Sequence, residues 1–200
     1  MKASVSNKRR YRMVARAEAI EATKEQILAA AMRHFAERPY EQVRLADIAA
    51  DARVTVQTVH SHFGTKDGLF VAGWHWAGEK EQARRDSAPV GDVEAAVHLL
   101  YDSYERDGDA VLRLLAIEDR IPAVRCMTDE GRAFHRGWVE RTFAPLLAGL
   151  RGAARERRLV SLVVATDLLV WKLLRRDMGL DRATAERIVT EMVTATKGAR

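Results

Sequence analysis

Cysteine is nearly absent from this 200-residue sequence, since Cys126 is the only one. A single thiol cannot form an internal disulfide, and it lacks the companion cysteines and histidines that a structural zinc site needs. We expect Cys126 to be a buried small apolar residue, with a redox-sensing thiol as the alternative.

A long apolar run is also missing. The longest one, residues 162–171, is interrupted by Asp167 and is too short to span a bilayer. No apolar stretch follows the basic residues near the N-terminus, as it would in a secretion signal. We therefore expect a cytoplasmic protein that makes no membrane contact.

Catalytic motifs are missing as well. The sequence has no glycine-rich phosphate loop, no HExxH, no GxSxG and no recognisable set of serine, histidine and carboxylate. His60 and His62 form an HxH pair, but residues two apart on a helix point away from each other and cannot share one ion. The sequence thus predicts neither an enzyme nor a metal or cofactor site.

Proline and glycine are few, at 4 and 12 residues, and no segment alternates as a strand does, so we predict an all-α fold. Helical spacing of apolar residues predicts helices over 23–38, 45–52, 55–63, 90–107, 109–118, 122–150, 157–178 and 182–197. A further helix is predicted to be capped by Gly64 and Thr65, to hold Lys66 and Asp67 in its first turn and to continue toward about Arg84. Thr23 and Gln26 are spaced as a capping box at the start of the first helix. Gly108 is expected to separate two helices, and Gly179 to cap another.

Positive charge is concentrated in the first third of the chain. Residues 1–66 hold 12 Lys and Arg against 7 Asp and Glu, whereas residues 67–200 hold 21 of each. Such a distribution suits contact between the first third and a polyanion, with a solvated basic tail as the alternative. Residues 1–21, which are basic and have little apolar periodicity, are predicted to be a flexible arm that contacts the minor groove or the DNA backbone.

Residues 45–63 have the pattern of a helix-turn-helix. Its fifth position must be small so that the two helices can approach, and Ala49 stands there. Its tenth and fifteenth positions must be aliphatic, and they are Val54 and Val59. The ninth position favours glycine because the turn needs a left-handed backbone, so Arg53 is a departure from the pattern.

Residues 27–74 resemble the N-terminal signature of the TetR family, an ILxAAxxxFAExxY helix followed by DIAxxAxVTxxTVxxHFxxKDxL. The matching positions include Asp47, Ile48, Ala49, Ala52, Val54, Thr55, Thr58, His62, Phe63, Lys66 and Leu69. The resemblance implies an N-terminal three-helix helix-turn-helix DNA-binding domain over 22–68. It also implies a C-terminal helical ligand-binding and dimerisation domain over 69–200.

The function implied by this resemblance is that of a sequence-specific transcriptional regulator, a repressor released from a palindromic operator by a small molecule. No operator sequence or effector follows from the residues. The alternative is an architectural DNA-binding protein with little sequence preference, for which the Arg53 departure leaves room.

The DNA contacts are predicted from the second helix of the motif. Its first residues, Thr55, Val56 and Gln57, face base edges when such a helix enters the major groove. Gln57 can pair with adenine, and Val56 can contact a thymine methyl group. Phosphate contacts are expected from Arg44, Thr58, His60, Ser61 and Lys66, and His62 completes the predicted DNA-binding set.

The family usually has tyrosine where His60 stands. A neutral imidazole donates one hydrogen bond, and a protonated one adds positive charge. We therefore expect DNA affinity to weaken as the pH rises through about 6 to 7, where imidazoles lose a proton.

The C-terminal region is predicted to dimerise and to bind an effector. Helix 157–178 is apolar on more than one face, and with Ile188, Met192 and Val193 it can form a four-helix dimer interface through the last two helices, as the family does. The candidate residues for a largely apolar effector pocket are His98, Tyr101, Tyr104, Phe134, His135, Trp138 and Asp167. The alternative is an ordinary helical core in which Asp167 pairs with an arginine.

Overall fold

The computed structural model describes residues 2–195, with side chains from Met13 onward. No β-strand occurs in this range, so the predicted all-α fold is confirmed. The chain divides into two compact units between Ala77 and Gly78. We call them the N-terminal unit and the C-terminal unit. The predicted domain boundary after residue 68 lies within the same helix as this division.

The described residues form helices α1 (Lys2–Glu37), α2 (Leu45–Asp51), α3 (Val56–Phe63), α4 (Lys66–Arg85), α5 (Val93–Leu115), α6 (Pro122–Thr142), α7 (Ala144–Leu147), α8 (Gly152–Ala165), α9 (Leu168–Lys172) and α10 (Arg182–Ala195). A short 3-10 turn, Tyr40–Gln42, lies between α1 and α2. A π-helical turn, Leu173–Asp177, continues α9. No helix within residues 2–195 combines the length and the apolar character that a membrane span requires.

Helix α1 differs from the prediction at its start. It begins at Lys2 instead of Thr23, and the Thr23 hydroxyl donates to the Ala19 carbonyl 2.8 Å away, as in a helix interior. Residues 15–22 are rich in alanine and glutamate, which favour helix without any packing partner. Residues 13–22 are helical and all exposed. The absence of apolar periodicity in this segment therefore reflected the lack of a buried face, and it did not indicate the lack of a helix. Residues 2–21, predicted as an arm, are therefore helical, and their flexibility stays a prediction.

The core of the N-terminal unit comes from all four of its helices. Its fully buried side chains include Ile27, Ala30, Ala31, Ile48, Val59, Leu69 and Phe70. Three aromatic rings extend this core, with Phe35 and Phe70 at 4.6 Å and Tyr40 and Phe70 at 5.0 Å between ring centroids. Ile48 of α2 and Val59 of α3 place one face of each of these helices in the core.

The C-terminal unit packs α10 against α5 and α8, and α6 against α5 and α8. The predicted break at Gly108 is wrong, because α5 runs through it from Val93 to Leu115. The glycine is needed for a close approach: a Cβ at this position would lie 2.7 Å from Cζ3 of Trp171.

Two long predicted helices are shorter in the structure. The segment 122–150 divides into α6 and α7 at Phe143, and the segment 157–178 divides at Thr166, after which Asp167 caps α9. Gly179 follows the π-helical turn with φ 68°, the left-handed backbone that was predicted for it. Cys126 is exposed on α6, so its predicted burial is wrong; apolar character alone does not decide which face of a helix a cysteine occupies.

Candidate functional site

The helix-turn-helix keeps its turn despite Arg53. The backbone of Arg53 has φ 55°, the left-handed conformation for which glycine was expected. The amide of Arg53 donates to the Ala50 carbonyl at 3.1 Å, and the amide of Val54 donates to the Ala49 carbonyl at 2.9 Å. Ala49 is buried, as the close approach of α2 and α3 requires. The departure at position nine therefore leaves the turn geometry intact.

Helix α3 has one face in the core and one in solvent. Thr55 caps it, because its hydroxyl accepts a hydrogen bond from the amide of Thr58 at 3.1 Å. Val59 is buried on the inner face, whereas Val56 and Gln57 are exposed at the start of the helix. The structure thus leaves the side chains of Val56 and Gln57 in solvent, while the Thr55 hydroxyl caps the helix. Their contact with bases stays a prediction.

The remaining polar side chains of α3 form some of their hydrogen bonds within the helix and with its capping residue. The Ser61 hydroxyl donates to the Gln57 carbonyl at 2.8 Å, and the Thr58 hydroxyl lies 2.9 Å from that of Thr55. His62 is half-buried, with its ring centroid 6.0 Å from that of Phe63. No group of three potential metal-ligating side chains occurs among the residues whose side chains are described.

His60 is exposed on α3, and its Nδ1 lies 2.6 Å from the carbonyl oxygen of Gly64. A carbonyl only accepts, so Nδ1 carries the proton and Nε2 of the neutral ring has a lone pair. The neutral ring therefore has no donor left for a phosphate, which differs from the expectation that it would donate one hydrogen bond. Only the imidazolium can donate from Nε2.

Lys66 is engaged at the start of α4. Its ammonium donates to the carbonyl oxygens of Tyr40 at 2.8 Å and Val43 at 3.3 Å, and lies 4.4 Å from the centroid of the Tyr40 ring. The Tyr40 hydroxyl donates in turn to Asp67. Lys66 thus connects the 3-10 turn to α4 through these hydrogen bonds. Its contact with a phosphate stays a prediction. Arg44, by contrast, is exposed and has no side-chain partner among the described residues.

The predicted effector residues do not form one group. Tyr104, Phe134 and Trp138 lie around the guanidinium of Arg85, at 5.5 to 5.6 Å from its carbon to each ring centroid. His98 is exposed beside Glu186 and Arg182. Asp167 accepts a hydrogen bond from the amide of Leu169 at 2.8 Å as the cap of α9, and no arginine in the described part of the chain pairs with it.

Arg85 and His135 form a polar link through the aromatic group. Arg85 is buried, its Nε donates to Glu81 at 2.5 Å, and its Nη1 lies 3.4 Å from Nδ1 of His135. Burial and the neighbouring charge of Arg85 lower the pKa of His135 to about 4, so the ring is neutral at pH 7. Its Nε2 donates to the hydroxyl of Thr166 at 3.1 Å, which donates to the Leu162 carbonyl at 2.8 Å.

Tyr101 is the predicted effector residue with an unusual environment. Its side chain is buried, yet its hydroxyl has no hydrogen-bond partner among the residues that the structure describes. By contrast, the Tyr104 hydroxyl donates to the Thr166 carbonyl at 2.9 Å, and the Trp138 indole donates to the Arg85 carbonyl at 3.2 Å. Burial and nearby carboxylates raise the pKa of Tyr101, so its phenol stays protonated and is available as a donor.

The helix-turn-helix region matches a known family model. Residues 27–72 match the family model described as bacterial regulatory proteins of the tetR family. The helix-turn-helix region is similar to the N-terminal domain of the TetR family. The resemblance predicted from the sequence is thereby confirmed. The comparison with curated proteins finds no significant match.

Solved structures share the TetR-type fold over most of the chain. A tetR-family transcriptional regulator from Streptomyces coelicolor is 18% identical with a TM-score of 0.71, over 88% of this chain and 80% of that one. A transcriptional regulator from Rhodococcus sp. Rha1 is 19% identical with a TM-score of 0.68, over 86% and 95%. A TetR transcription regulator from Haloarcula marismortui ATCC 43049 is 17% identical with a TM-score of 0.62, over 88% and 97%. The fold is that of DNA-binding transcriptional regulators, a helix-turn-helix domain followed by a helical domain.

Proposed function

We propose that the protein is a homodimeric repressor that binds a palindromic operator through α3 of each protomer and leaves it when a small molecule binds the C-terminal unit. The observation that carries this proposal is the solvent face of α3, where Val56, Gln57 and His60 are exposed while Val59 anchors the opposite face in the core. A rigid helix with free side chains at its N-terminal end suits reading of the major groove.

The experiment is a footprint of the purified protein on the DNA upstream of its own gene, with binding to random DNA measured at the same physiological salt. A palindromic protected site that binds at least about a thousandfold more tightly than random DNA supports the regulator. Equal affinity for both DNAs would contradict it and favour an architectural protein. Transcription from the protected promoter, measured with and without the protein, separates repression from activation.

Dimerisation through the last two helices is supported by apolar side chains that α8, the α9 region and α10 expose to solvent. These are Val160, Val164, Leu169, Leu173, Met178 and Met192. Val164 and Leu169 are each more than half exposed, at 55% and 57%. Several large apolar side chains exposed on the same few helices are typical of an interface, and a second copy of the chain can cover them by two-fold symmetry.

The double variant Val164→Asp, Leu169→Asp is expected to be monomeric, because dimer formation would bury four unpaired carboxylates. Its molar mass from light scattering should be half that of the wild type, and operator binding should weaken by more than about a hundredfold since each half-site then binds alone. Val90→Asp is the matched control, because Val90 is 65% exposed and lies outside this surface. A dimeric double variant would place the interface elsewhere.

The effector is proposed to bind beside the aromatic group around Arg85. The ring faces of Tyr104, Phe134 and Trp138 suit an apolar body. The hydroxyl of Tyr101, whose charged neighbours are Glu186, Arg175 and Glu105, has no partner among the described residues and suits a polar atom of a ligand. Release would follow if the effector prefers a conformation in which the two α3 helices of the dimer are wrongly spaced for DNA. Footprints repeated with candidate small molecules test this, and Tyr101→Phe should lose response to an effector that uses the hydroxyl.

A further inference from the structure

Arg53 is the one described residue other than glycine with a positive φ. A non-glycine side chain in this conformation costs free energy, of the order of 1 to 2 kcal/mol in general, and glycine would avoid that cost. Residues with strained backbones are concentrated at functional sites. We therefore expect the arginine side chain to make a favourable interaction that glycine, which has no side chain, cannot make.

The side chain of Arg53 is exposed and has no partner among the described residues. The nearest carboxylate along the chain, Asp51, is already paired with Arg33 at 3.0 Å and with His34 at 3.5 Å. Arg38 is likewise paired, with Asp47 at 3.0 Å. Arg53 thus keeps an uncompensated guanidinium, whereas the two arginines that pair with the acids of α2 are neutralised.

The position of Arg53 brings this charge next to the DNA-reading residues. It lies two residues before Thr55, so the two backbone positions are at most about 7 Å apart. The hydrogen bonds of the turn, from the amides of Arg53 and Val54 to α2, fix the direction in which the side chain leaves the backbone. A guanidinium held in this way can donate two parallel hydrogen bonds to one phosphate.

We propose that Arg53 is a DNA-contacting residue that binds a backbone phosphate beside the groove entered by α3, in addition to the contacts that the family signature implies. The proposal rests on the proposed DNA-binding function. A phosphate contact carries no sequence information, so Arg53 contributes equally to operator and to random DNA. The gain in DNA affinity offsets the backbone strain of a non-glycine residue at this turn.

Three substitutions at Arg53 distinguish the effect of its positive charge on DNA binding from the effect of its strained backbone on stability. Arg53→Gln removes the charge and keeps a non-glycine residue, Arg53→Gly removes both the charge and the strain, and Arg53→Lys keeps the charge. Arg151→Gln is the matched control, because Arg151 is exposed, lies in the C-terminal unit and has no side-chain partner in the described part of the chain. Binding to operator and random DNA is measured at several salt concentrations, together with the melting temperature.

For Arg53→Gln and Arg53→Gly we expect about tenfold weaker binding to both DNAs. The slope of log affinity against log salt should fall by about 0.9 for each protomer, or about 1.8 for a dimer. Arg53→Gly should also melt about 3 °C higher than the wild type because the strain is relieved. Arg53→Lys and Arg151→Gln should keep the wild-type slope. Stability and DNA affinity would thus change in opposite directions in Arg53→Gly.

If the wild-type protein binds the operator and Arg53→Gln has the same salt slope, the proposed role of Arg53 is wrong. The proposed DNA-binding function would be unaffected by that result. Weaker binding to the operator with unchanged binding to random DNA would also overturn the proposed role of Arg53, because this pattern indicates a base contact. Wild-type protein that binds no DNA would overturn the proposed function together with this inference, so the two failures are distinguishable.

Discussion

Glu81→Gln is expected to lower the free energy of unfolding by about 3 kcal/mol and the melting temperature by about 10 °C. Glu81 accepts hydrogen bonds from Arg84 at 3.0 Å, Arg85 at 2.5 Å and Arg106 at 3.1 Å, and from the hydroxyl of Ser103. Arg84 and Arg106 have further carboxylate partners, but Arg85 is buried and has no carboxylate partner other than Glu81 in the described part of the chain. The substitution leaves its charge uncompensated among aromatic rings.

Two controls make this test specific. Glu79→Gln removes the same charge from an exposed position of the same helix, and it should change the melting temperature by about 1 °C or less. In the double variant Glu81→Gln, Arg85→Met, the unpaired charge is gone, so part of the loss should be recovered. A double variant that is less stable than Glu81→Gln would show that Arg85 is not the source of the cost.

The pH dependence of stability provides a second measurement on Glu81. Burial acts to raise the pKa of this carboxyl, but the hydrogen bonds from Arg84 and Ser103 and the charge of Arg85 outweigh it and lower the pKa to about 2. The stabilisation is therefore fully present above the ordinary value of 4.5 and is lost as the pH falls toward 2. The stability difference between the wild type and Glu81→Gln should shrink over this range.

Gly108→Ala is expected to lower the free energy of unfolding by about 2 kcal/mol, although alanine is the better helix former. The added Cβ would lie 2.7 and 2.8 Å from two ring atoms of Trp171 and 3.2 Å from Leu168. The ring cannot withdraw easily, because its indole donates to Glu105 at 3.0 Å and the Arg176 guanidinium lies 4.4 Å from its centroid. Thermal or denaturant unfolding measures the loss.

Gly78→Ala is the matched control for Gly108→Ala. Gly78 also lies within a helix, but a Cβ there would meet nothing within 4 Å. Its replacement should stabilise the protein by up to about 1 kcal/mol, the helix propensity of alanine over glycine. Replacing glycine by alanine is thus expected to lower the free energy of unfolding at position 108 and to raise it at position 78. Stabilisation by Gly108→Ala as well would mean that Trp171 moves away at little cost.

The helix-turn-helix could be predicted from the sequence because its signals are local. The small Ala49, the aliphatic Val54 and Val59 and the capping Thr55 lie within eleven residues, and each requirement comes from the geometry of one turn. The exposed face of α3 follows directly from this pattern. The hydrogen bonds made by the side chains of α3 could not be predicted in this way. The contact of His60 with the Gly64 carbonyl, for example, depends on the backbone conformation after the helix.

The C-terminal unit was harder to predict because its decisive contacts join distant residues. Gly108 has the signature of a helix break, and only Trp171, which is far along the chain, shows that the glycine serves a close approach. Arg85 was missed because it lies in the charged run EKEQARRD, in which nothing local shows that one arginine is buried. Its aromatic neighbours were identified as candidates, but the cation between them was not.

The exposure of Cys126 has a practical consequence. Because the sequence contains no other cysteine and this thiol lies on the solvent side of α6, a maleimide dye or a nitroxide attached to it would mark a single known position of each chain. The C-terminal unit thus carries its own labelling site. Spectroscopy of conformational change in that unit can begin with the unmodified sequence.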